Sequence, residues 1–427
     1  MLEPKQQLIN LMTSTRWFLF LLIFQVPHSS LYAADPVAPT VNLKNAPSPA
    51  ALLKQKRFAE LDRHLTSLQN VYEKDTPRAS SLLAAYWAMT DENLATRENY
   101  DEWVGKYPQS YAAHLARGLN YISLGGSVRG SQYIDETPAE NVAQMKQYFA
   151  KAMPDLEKSL SLTAKPLLSY YGLIAIGKHV DTKNNNRHWL DAANAIDPSN
   201  ILIKEQYLLA LRPQWGGSLE EMIAFVKESD SMPLSDINKK RLESHIWRAR
   251  ARASRLNKDY RAAIEYYSNA ITLYDQAAQV YVNRGWVYGQ LKENDKAISD
   301  YSRAIVLAPS YVRPLISRAI IYRTLGEYDQ SLADLTRAVE LAPKDKTAWT
   351  SRGSVYDRQK RYAEAVADYK IAARLGDAWA QYKLGTHYRS GQGVVQDRNQ
   401  SMVWFTEAAR NGSVEALHVL REEGIIP

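Results

Sequence analysis

The sequence contains no cysteine among its 427 residues. This absence excludes a disulfide framework, a thiolate metal site, a cysteine nucleophile and a lipid-modified cysteine near the N-terminus. Catalytic motifs are also missing, because the eight histidines are scattered and there is no H-E-x-x-H motif, no G-x-S-x-G motif and no glycine-rich phosphate loop. We therefore expect no catalytic site, no bound metal and no cofactor, and we interpret the chain as a binding protein and not as an enzyme.

Long apolar runs are scarce too, and the clearest one lies near the N-terminus. Residues 17–26 are largely apolar, follow two basic residues and precede a small-residue stretch that ends at Ala33 and Ala34. This order is typical of a secretory signal peptide, whereas a membrane span needs about 20 apolar residues. We expect residues 1–33 to be a signal peptide that is cleaved after Ala33 or Ala34. The mature chain is then periplasmic or secreted and has no integral membrane span; an uncleaved anchor is the alternative.

The rest of the sequence is typical of a helical chain whose charge is unevenly distributed along its length. Residues 34–49 are rich in proline and alanine and predict a linker, and helical spacing dominates after them. The 27 tyrosines and 10 tryptophans have amphipathic side chains, which are typical of surfaces that are partly buried and partly exposed to water. Residues 236–427 hold 30 of the 53 basic and 22 of the 46 acidic residues, so this half carries the positive excess.

Residues 244–377 show an internal sequence repeat, and its period equals the spacing between Pro309 and Pro343. Small residues recur where two antiparallel helices would approach, bulky residues recur where they would fill the space between them, and proline ends the repeats. The recurring residues are Gly285, Ala319 and Gly353; Tyr288, Tyr322 and Tyr356; Ala304, Ala338 and Ala372; Pro309 and Pro343; and, one repeat earlier, Trp247, Ala251, Ala263, Tyr267 and Ala270.

This pattern resembles the tetratricopeptide repeat. It predicts four repeats, at residues 244–277, 278–311, 312–345 and 346–377. The resemblance implies an all-α fold, namely a right-handed superhelical solenoid of antiparallel helix pairs, and a role as a protein–protein interaction scaffold.

Residues 378–416 keep the helix-pair pattern but place a longer, glycine-bearing turn between the helices. This segment resembles a Sel1-like repeat, and residues 417–427 are expected to form a C-terminal cap. The residues that carry the resemblance are Ala380, Leu384, Gly385, Tyr388, Gly391, Gly393, Val394, Asp397, Trp404, Phe405, Ala408, Ala409 and Gly412.

Residues 50–235 are less regular and predict irregular helical hairpins. The segment from Tyr207 through Pro213 to the Trp-Gly-Gly-Ser run that ends at Ser218 resembles a bacterial domain of unknown function that accompanies tetratricopeptide repeats, a family that implies no activity. We expect Ser218 to cap the helix that follows it. Tyr121 and Leu156 are 35 residues apart where a regular repeat has 13, so about 22 residues of unknown role are inserted.

Arginines recur with the same period, at positions 250, 284, 318 and 352, and could form a phosphate-binding stripe. Aspartates follow the last three of them after sixteen residues, as Asp300, Asp334 and Asp368, whereas Arg250 has Tyr266 at that spacing. This register favours ion pairs within the repeats, and the series is therefore predicted to be structural.

A better candidate for a binding site lies on the first helices of the repeats. In tetratricopeptide arrays the second, fifth, ninth and twelfth residues of these helices usually face the concave groove. Three arginines of the first repeat share one helical face in spite of their mild mutual repulsion, and guanidinium groups bind carboxylates as forks. A solvated basic face, or contacts to the N-terminal half, are the alternatives. The predicted groove residues are His245, Arg248, Arg252, Arg255, Trp286, Arg313 and Arg323.

These observations predict an exported scaffold that binds a protein or peptide segment, acidic in character, in its concave groove. The alternative function is an envelope glycan-binding module, or a cryptic glycan-active enzyme with two carboxylates that no motif reveals. A nucleic-acid partner is not expected, because export would remove the chain from such targets.

Overall fold

A computed structural model describes residues 47–74, 79–90, 94–129, 137–177, 179 and 183–425. The regular elements in these ranges are all helices, which confirms the predicted all-α fold. The predicted signal peptide lies outside the described residues, and so does most of the predicted linker. The described chain divides into two compact units, which we call unit one (Met1–Arg252 with Thr272–Tyr274) and unit two (Ala253–Ile271 with Asp275–Pro427).

Unit one consists of hairpins with helices of unequal length. Ser218 caps one of these helices as predicted, and its side chain and that of Glu221 form a reciprocal capping box. The helices are α1 Pro49–Lys54, α2 Phe58–Lys74, α3 Ala79–Trp87, α4 Leu94–Lys106, α5 Tyr111–Arg129, α6 Ala139–Ser159, α7 Leu167–Gly177, α8 Lys183–Ile196, α9 Ile201–Ala210, α10 Leu219–Ser229 and most of α11 Asp236–Leu256, with a 3-10 turn at Pro213–Trp215.

The hairpin of α5 and α6 contains the inserted residues. They lengthen the end of α5 and the start of α6. The helices approach closely at Gly125, where an added Cβ would lie 2.5 Å from a ring carbon of Phe149. At its base, Arg117 forms a two-pronged ion pair with Asp155, with Nε–Oδ2 at 2.7 Å and Nη2–Oδ1 at 2.8 Å.

Unit two repeats one helix pair with little variation. The small residues that the period predicts lie where the two helices of a pair meet: an added Cβ at Gly353 would lie 2.9 Å from a ring carbon of Tyr369. From α13 onward, successive helices pack against each other in chain order, as in a helical solenoid. The helices are α12 Tyr260–Leu273, α13 Ala278–Gln290, α14 Asn294–Leu307, α15 Val312–Leu325, α16 Tyr328–Leu341, α17 Lys346–Arg358, α18 Tyr362–Arg374, α19 Ala378–Ser390, α20 Arg398–Arg410 and α21 Val414–Glu422.

The periodic arginines form the predicted ion pairs. Arg318 donates from Nε and Nη2 to the two carboxylate oxygens of Asp334, at 2.8 and 2.7 Å. Its Nη1 also donates to Ser302 Oγ of the preceding pair at 2.7 Å. Arg284 and Arg352 repeat both contacts, with Asp300 and Ser268, and with Asp368 and Thr336. The series is therefore structural, since each guanidinium joins its own helix pair to the one before it.

The turn of the Sel1-like repeat packs against the preceding tetratricopeptide repeat. Gly391 and Gly393 both have left-handed backbones, with φ of 73° and 74°. A Cβ at Gly393 would overlap the backbone carbonyl of Tyr362 at the start of α18. Glycine is needed there both for the backbone conformation and for the close approach.

Candidate functional site

Trp286 is the aromatic member of the predicted groove residues of unit two. It is half-buried on α13, and its ring lies at a steep angle to that of Tyr260, with 6.2 Å between the centroids. The guanidinium carbon of Arg255 is 5.1 Å from the Trp286 ring centroid, which is a cation–π distance. The structure thus brings Arg255 and Trp286 together, as the sequence predicted for a shared surface.

Two hydrogen-bond donors on α13 have no acceptor among the described residues. They are the indole Nε1 of Trp286 and the amide Nε2 of Gln290, and both atoms are buried. The two residues are four positions apart and therefore lie on one face of the helix. A buried donor without an acceptor costs about 1–3 kcal/mol. This face consequently favours any molecule that brings hydrogen-bond acceptors to it.

Arg313 lies at the start of α15, beside two tyrosine hydroxyls. Burial raises the pKa of Tyr301 and Tyr311, and the positive charge of Arg313 partly offsets this effect at both phenols. The hydroxyl of Tyr311 in turn donates to Gln279 Oε1 on α13 at 2.5 Å. Arg313 is half-buried. It therefore belongs to a polar layer between the first helices of two successive pairs.

Arg323 lies near the end of α15 and contacts the next first helix. Its Nη1 donates to Ser354 Oγ on α17 at 2.7 Å. Burial and the nearby positive charge of Arg358 lower the pKa of Arg323. A buried guanidinium that is close to a second cation gains stability when an anion approaches. The surroundings of Arg323 therefore favour an anion.

Asp357 is the acidic residue at a predicted groove position of α17, and Lys383 and His387 contact its carboxylate. Lys383 Nζ lies 2.7 Å from its Oδ2, and His387 Nε2 lies 3.1 Å from its Oδ1. Burial opposes the ionisation of Asp357, but the contacts from His387 and Lys383 hold its pKa below the usual value. This carboxylate is thus paired within the protein and leaves the positive character of the surface in place.

The predicted groove residues His245, Arg248 and Arg252 belong to unit one, and the other four belong to unit two. His245 is only 4% exposed. Its Nδ1 accepts a hydrogen bond from Arg212 Nη2 at 3.0 Å, and Arg248 Nη1 lies 3.5 Å from both ring nitrogens. Because both nitrogens of His245 contact the protein, we leave this residue out of the proposed peptide contacts. Arg248 and Arg252 are half-buried on α11.

Glu205 of α9 is the partner that holds His245. The ring Nε2 of His245 lies 3.1 Å from Glu205 Oε1, and Arg241 forms a two-pronged ion pair with the same carboxylate, both distances being 2.7 Å. Burial opposes the ionisation of Glu205, but the charge of Arg241 and the hydrogen bond from His245 lower its pKa to about 2. Burial and the charge of Arg248 lower the pKa of His245 to about 3. The network therefore contains a neutral imidazole between charged groups.

The sequence contained part of the signal for this network. Arg241 and His245 are four residues apart and share a face of α11. Glu205 lies in an irregular hairpin, far before His245 in the chain, and no period connects the two. The sequence analysis therefore identified His245 but missed Glu205, Arg241 and Arg212.

The described residues hold no group of three or more histidine, cysteine, aspartate or glutamate side chains that could bind a metal ion. In the same ranges, no helix combines the length and apolar character of a membrane crossing.

Four family models match five stretches of the chain. A tetratricopeptide-repeat model matches residues 278–311, and a second one matches residues 316–382. A Sel1-repeat model matches residues 254–275 and 380–413. The chain carries tetratricopeptide and Sel1 repeats. A domain of unknown function, DUF4034, matches residues 135–249, so it begins later than the predicted irregular domain and extends into α11.

Solved structures of other proteins are similar to parts of this repeat protein. MamA from Desulfovibrio magneticus RS-1 is 16% identical, with a TM-score of 0.35 over 39% of this chain and 94% of that chain. YrrB, described as a tetratricopeptide-repeat protein with an unusual peptide-binding site, is 19% identical, with a TM-score of 0.35 over 48% and 100%. The first tetratricopeptide domain of Spaghetti (RPAP3), bound to an HSP90 peptide, is 20% identical, with a TM-score of 0.27 over 28% and 94%. No curated protein matches the chain.

The repeats support a role as a protein–protein interaction scaffold, with a protein as partner. Repeats of these two families typically bind and do not catalyse. For the DUF4034 region, the absence of an activity is a prediction from the sequence alone.

Proposed function

We propose that this repeat protein binds an acidic peptide segment on the first helices of unit two. The observation that carries the proposal is the pair of buried donors without acceptors, Trp286 Nε1 and Gln290 Nε2, beside the guanidinium of Arg255. A peptide supplies acceptors through its carbonyls, and an acidic one also supplies carboxylates, whose hydrogen bonds are stronger.

The peptide reaches the two donors by displacing the side chain of Arg255. This side chain lies over the Trp286 ring on a flexible stem, and its guanidinium then pairs with the incoming carboxylate. Arg313 and Arg323 would extend the contact along α15, while the paired Asp357 would not repel the ligand. Since the helices are ordered before binding, little conformational entropy is lost on association.

The double variant Trp286→Phe, Gln290→Leu is expected to bind an acidic peptide about thirtyfold more weakly, because it removes two hydrogen bonds of about 1 kcal/mol each. It should be at least as stable as the parent, since both lost donors are buried without acceptors. Fluorescence anisotropy with a labelled glutamate octapeptide measures the affinity, and thermal unfolding measures the stability.

The matched control is Trp349→Phe. The indole Nε1 of Trp349 already donates to the carbonyl of Pro343 at 2.9 Å, so its loss should leave the affinity unchanged. A lysine octapeptide should bind at least tenfold more weakly than the glutamate octapeptide. Equal binding of the two peptides, or unchanged affinity in the double variant, would contradict the proposal.

We also propose that the chain acts outside the cytoplasm, in the periplasm or as a secreted protein. The basis is the order of basic, apolar and small residues in positions 1–34. N-terminal sequencing of the protein recovered from the cell envelope or the medium is expected to begin at Ala34 or Asp35. A chain that still begins at its original N-terminus would indicate a retained anchor instead.

A further inference from the structure

We propose that Arg323 of α15 and Arg358 of α17 form an oxyanion site that selects a phosphorylated residue in the bound peptide. The inference rests on the proposed function, because the phosphate would be carried by the same acidic peptide that contacts Trp286. The ligand group of this site is a phosphate monoester, and its partner is a phosphoserine peptide.

Ser354 brings the two arginines of this site together. Arg323 Nη1 donates to Ser354 Oγ at 2.7 Å across the contact between α15 and α17. Ser354 and Arg358 are four residues apart and therefore share a face of α17. Burial and the positive charge of Arg358 lower the pKa of Arg323, and the phenols of Tyr369 and Tyr328 offset only part of this effect. The two guanidinium groups thus lie close enough to repel each other, and an anion between them removes that repulsion.

The acidic residue next to this pair is engaged elsewhere. Asp357 directly precedes Arg358 in α17. Its Oδ2 lies 2.7 Å from Lys383 Nζ, and its Oδ1 lies 3.1 Å from His387 Nε2. Arg358 is exposed in the last turn of α17 and forms no ion pair within the part of the chain that the structure describes. The arginine pair therefore keeps an excess of positive charge that an anionic ligand can balance.

Two neighbouring guanidinium groups match a phosphate monoester better than a carboxylate. A carboxylate side chain carries one negative charge, whereas a phosphorylated serine carries a charge of about −1.5 to −2 at pH 7 and three strong acceptor oxygens. Guanidinium groups bind both anions through parallel N–H···O hydrogen bonds. A phosphate has enough charge and enough oxygens to accept from Arg323 and Arg358 together.

The position of the pair predicts where the phosphate lies in the peptide. The first helices α13, α15 and α17 contact one another in this order. Packed helices are about 8–10 Å apart and an extended chain spans about 3.3 Å per residue, so one step between first helices corresponds to about three residues. Trp286 lies on α13, and the arginine pair is one to two steps away. The phosphorylated residue is therefore expected about three to six residues from the residue that contacts Trp286.

The test uses glutamate octapeptides that carry one serine, either free or phosphorylated, at the second or the seventh position. The two positions cover both directions in which the peptide can run. The full-length parent is expected to bind one of the two phosphorylated peptides at least about tenfold more tightly than its unphosphorylated counterpart, because charge-assisted hydrogen bonds to the arginine pair are gained. The same peptide should also bind more tightly than the all-glutamate octapeptide. Fluorescence anisotropy measures all affinities.

Arg358→Gln removes one member of the pair at an exposed position. It is expected to reduce the gain from phosphorylation to about threefold or less, because a single guanidinium then faces the phosphate. The matched control is Arg374→Gln. Arg374 is also exposed in the last turn of its helix, but this helix is α18, the second of its pair. The control changes the net charge by the same amount and should keep the full gain.

The outcomes separate this site from the peptide site on which it rests. If phosphorylated, unphosphorylated and all-glutamate peptides bind the parent equally, or if Arg358→Gln keeps the gain, the oxyanion site is overturned and the acidic-peptide site stands. If none of the peptides binds, both proposals are overturned. A gain that Arg358→Gln and Arg374→Gln reduce equally reflects overall charge and also contradicts the site.

Discussion

The variant Glu205→Gln is expected to lose about 3–5 kcal/mol of unfolding free energy. The carboxylate is 7% exposed and is the counter-charge of Arg241, and it also accepts from His245. Glutamine keeps the shape but removes the charge, so the guanidinium of Arg241 stays buried without its ion pair. Urea unfolding at pH 7, followed by far-UV circular dichroism, measures the loss.

Glu228→Gln is the matched control in the same unit. Glu228 also forms a two-pronged pair with an arginine, Arg187, at 2.6 and 2.7 Å. Both side chains of that pair are well exposed, at 45% and 39%, and exposed pairs contribute about 1 kcal/mol or less. If the two variants lost similar amounts, the buried network would not stabilise unit one in the way its geometry indicates.

Acidification from pH 6.5 to 4 is expected to destabilise the same network by about 3 kcal/mol. The pKa of His245 is lowered to about 3 in the fold, from 6.5 in an unfolded chain. The neutral ring therefore contributes stability that is complete above pH 6.5 and is lost as the pH falls toward 3. The lowered pKa of Glu205, about 2, adds a further loss below about pH 4.5.

The acid effect is measured by urea unfolding at pH 6.5, 5 and 4. The variant His245→Gln is expected to show a smaller loss over this range, because an amide can keep one donor and one acceptor without titrating. The other titratable groups are present in both proteins, so the difference isolates His245. A parallel decline in parent and variant would assign the acid sensitivity to other groups.

The repeating part of the fold follows from the sequence because its contacts are local. In a solenoid each helix pair touches its neighbours, so residues at a fixed spacing meet in every copy. Arg318 and Asp334 illustrate this, since a sixteen-residue spacing was enough to predict their ion pair. The same logic applied to Arg117 would have found Asp155, because their separation is that spacing plus the inserted segment.

The contacts of the candidate site were harder to predict from the sequence. The groove rule identified Trp286 and Arg255, which do contact each other, because it depends only on helix register. The same rule selected His245, which the structure buries against Glu205. Helix register gives the direction of a side chain but not which element packs against it. His245 is buried by α9, and no periodic pattern predicts the position of that helix.

The predicted groove positions also differ in how deeply they are buried. Val282 and Ile316, at the fifth position of their helices, are each 2% exposed and pack between successive pairs. Trp286 and Arg323, at the ninth and twelfth positions, are half-buried and keep contact with the surface. The fifth positions of these helices are thus packed, whereas the ninth and twelfth positions stay partly accessible.

The glycine turn at Gly393 determines how independent the last repeat can be. Its backbone lies so close to that of Tyr362 that no larger residue fits between them. A Sel1 repeat could in principle be a separable module that is exchanged or lost without damage to its neighbours. In this chain the direct backbone contact means that the Sel1-like repeat packs on the last tetratricopeptide repeat and depends on it. The two repeat families therefore share one cooperative block, and a truncation between them would expose an interior surface instead of a natural boundary.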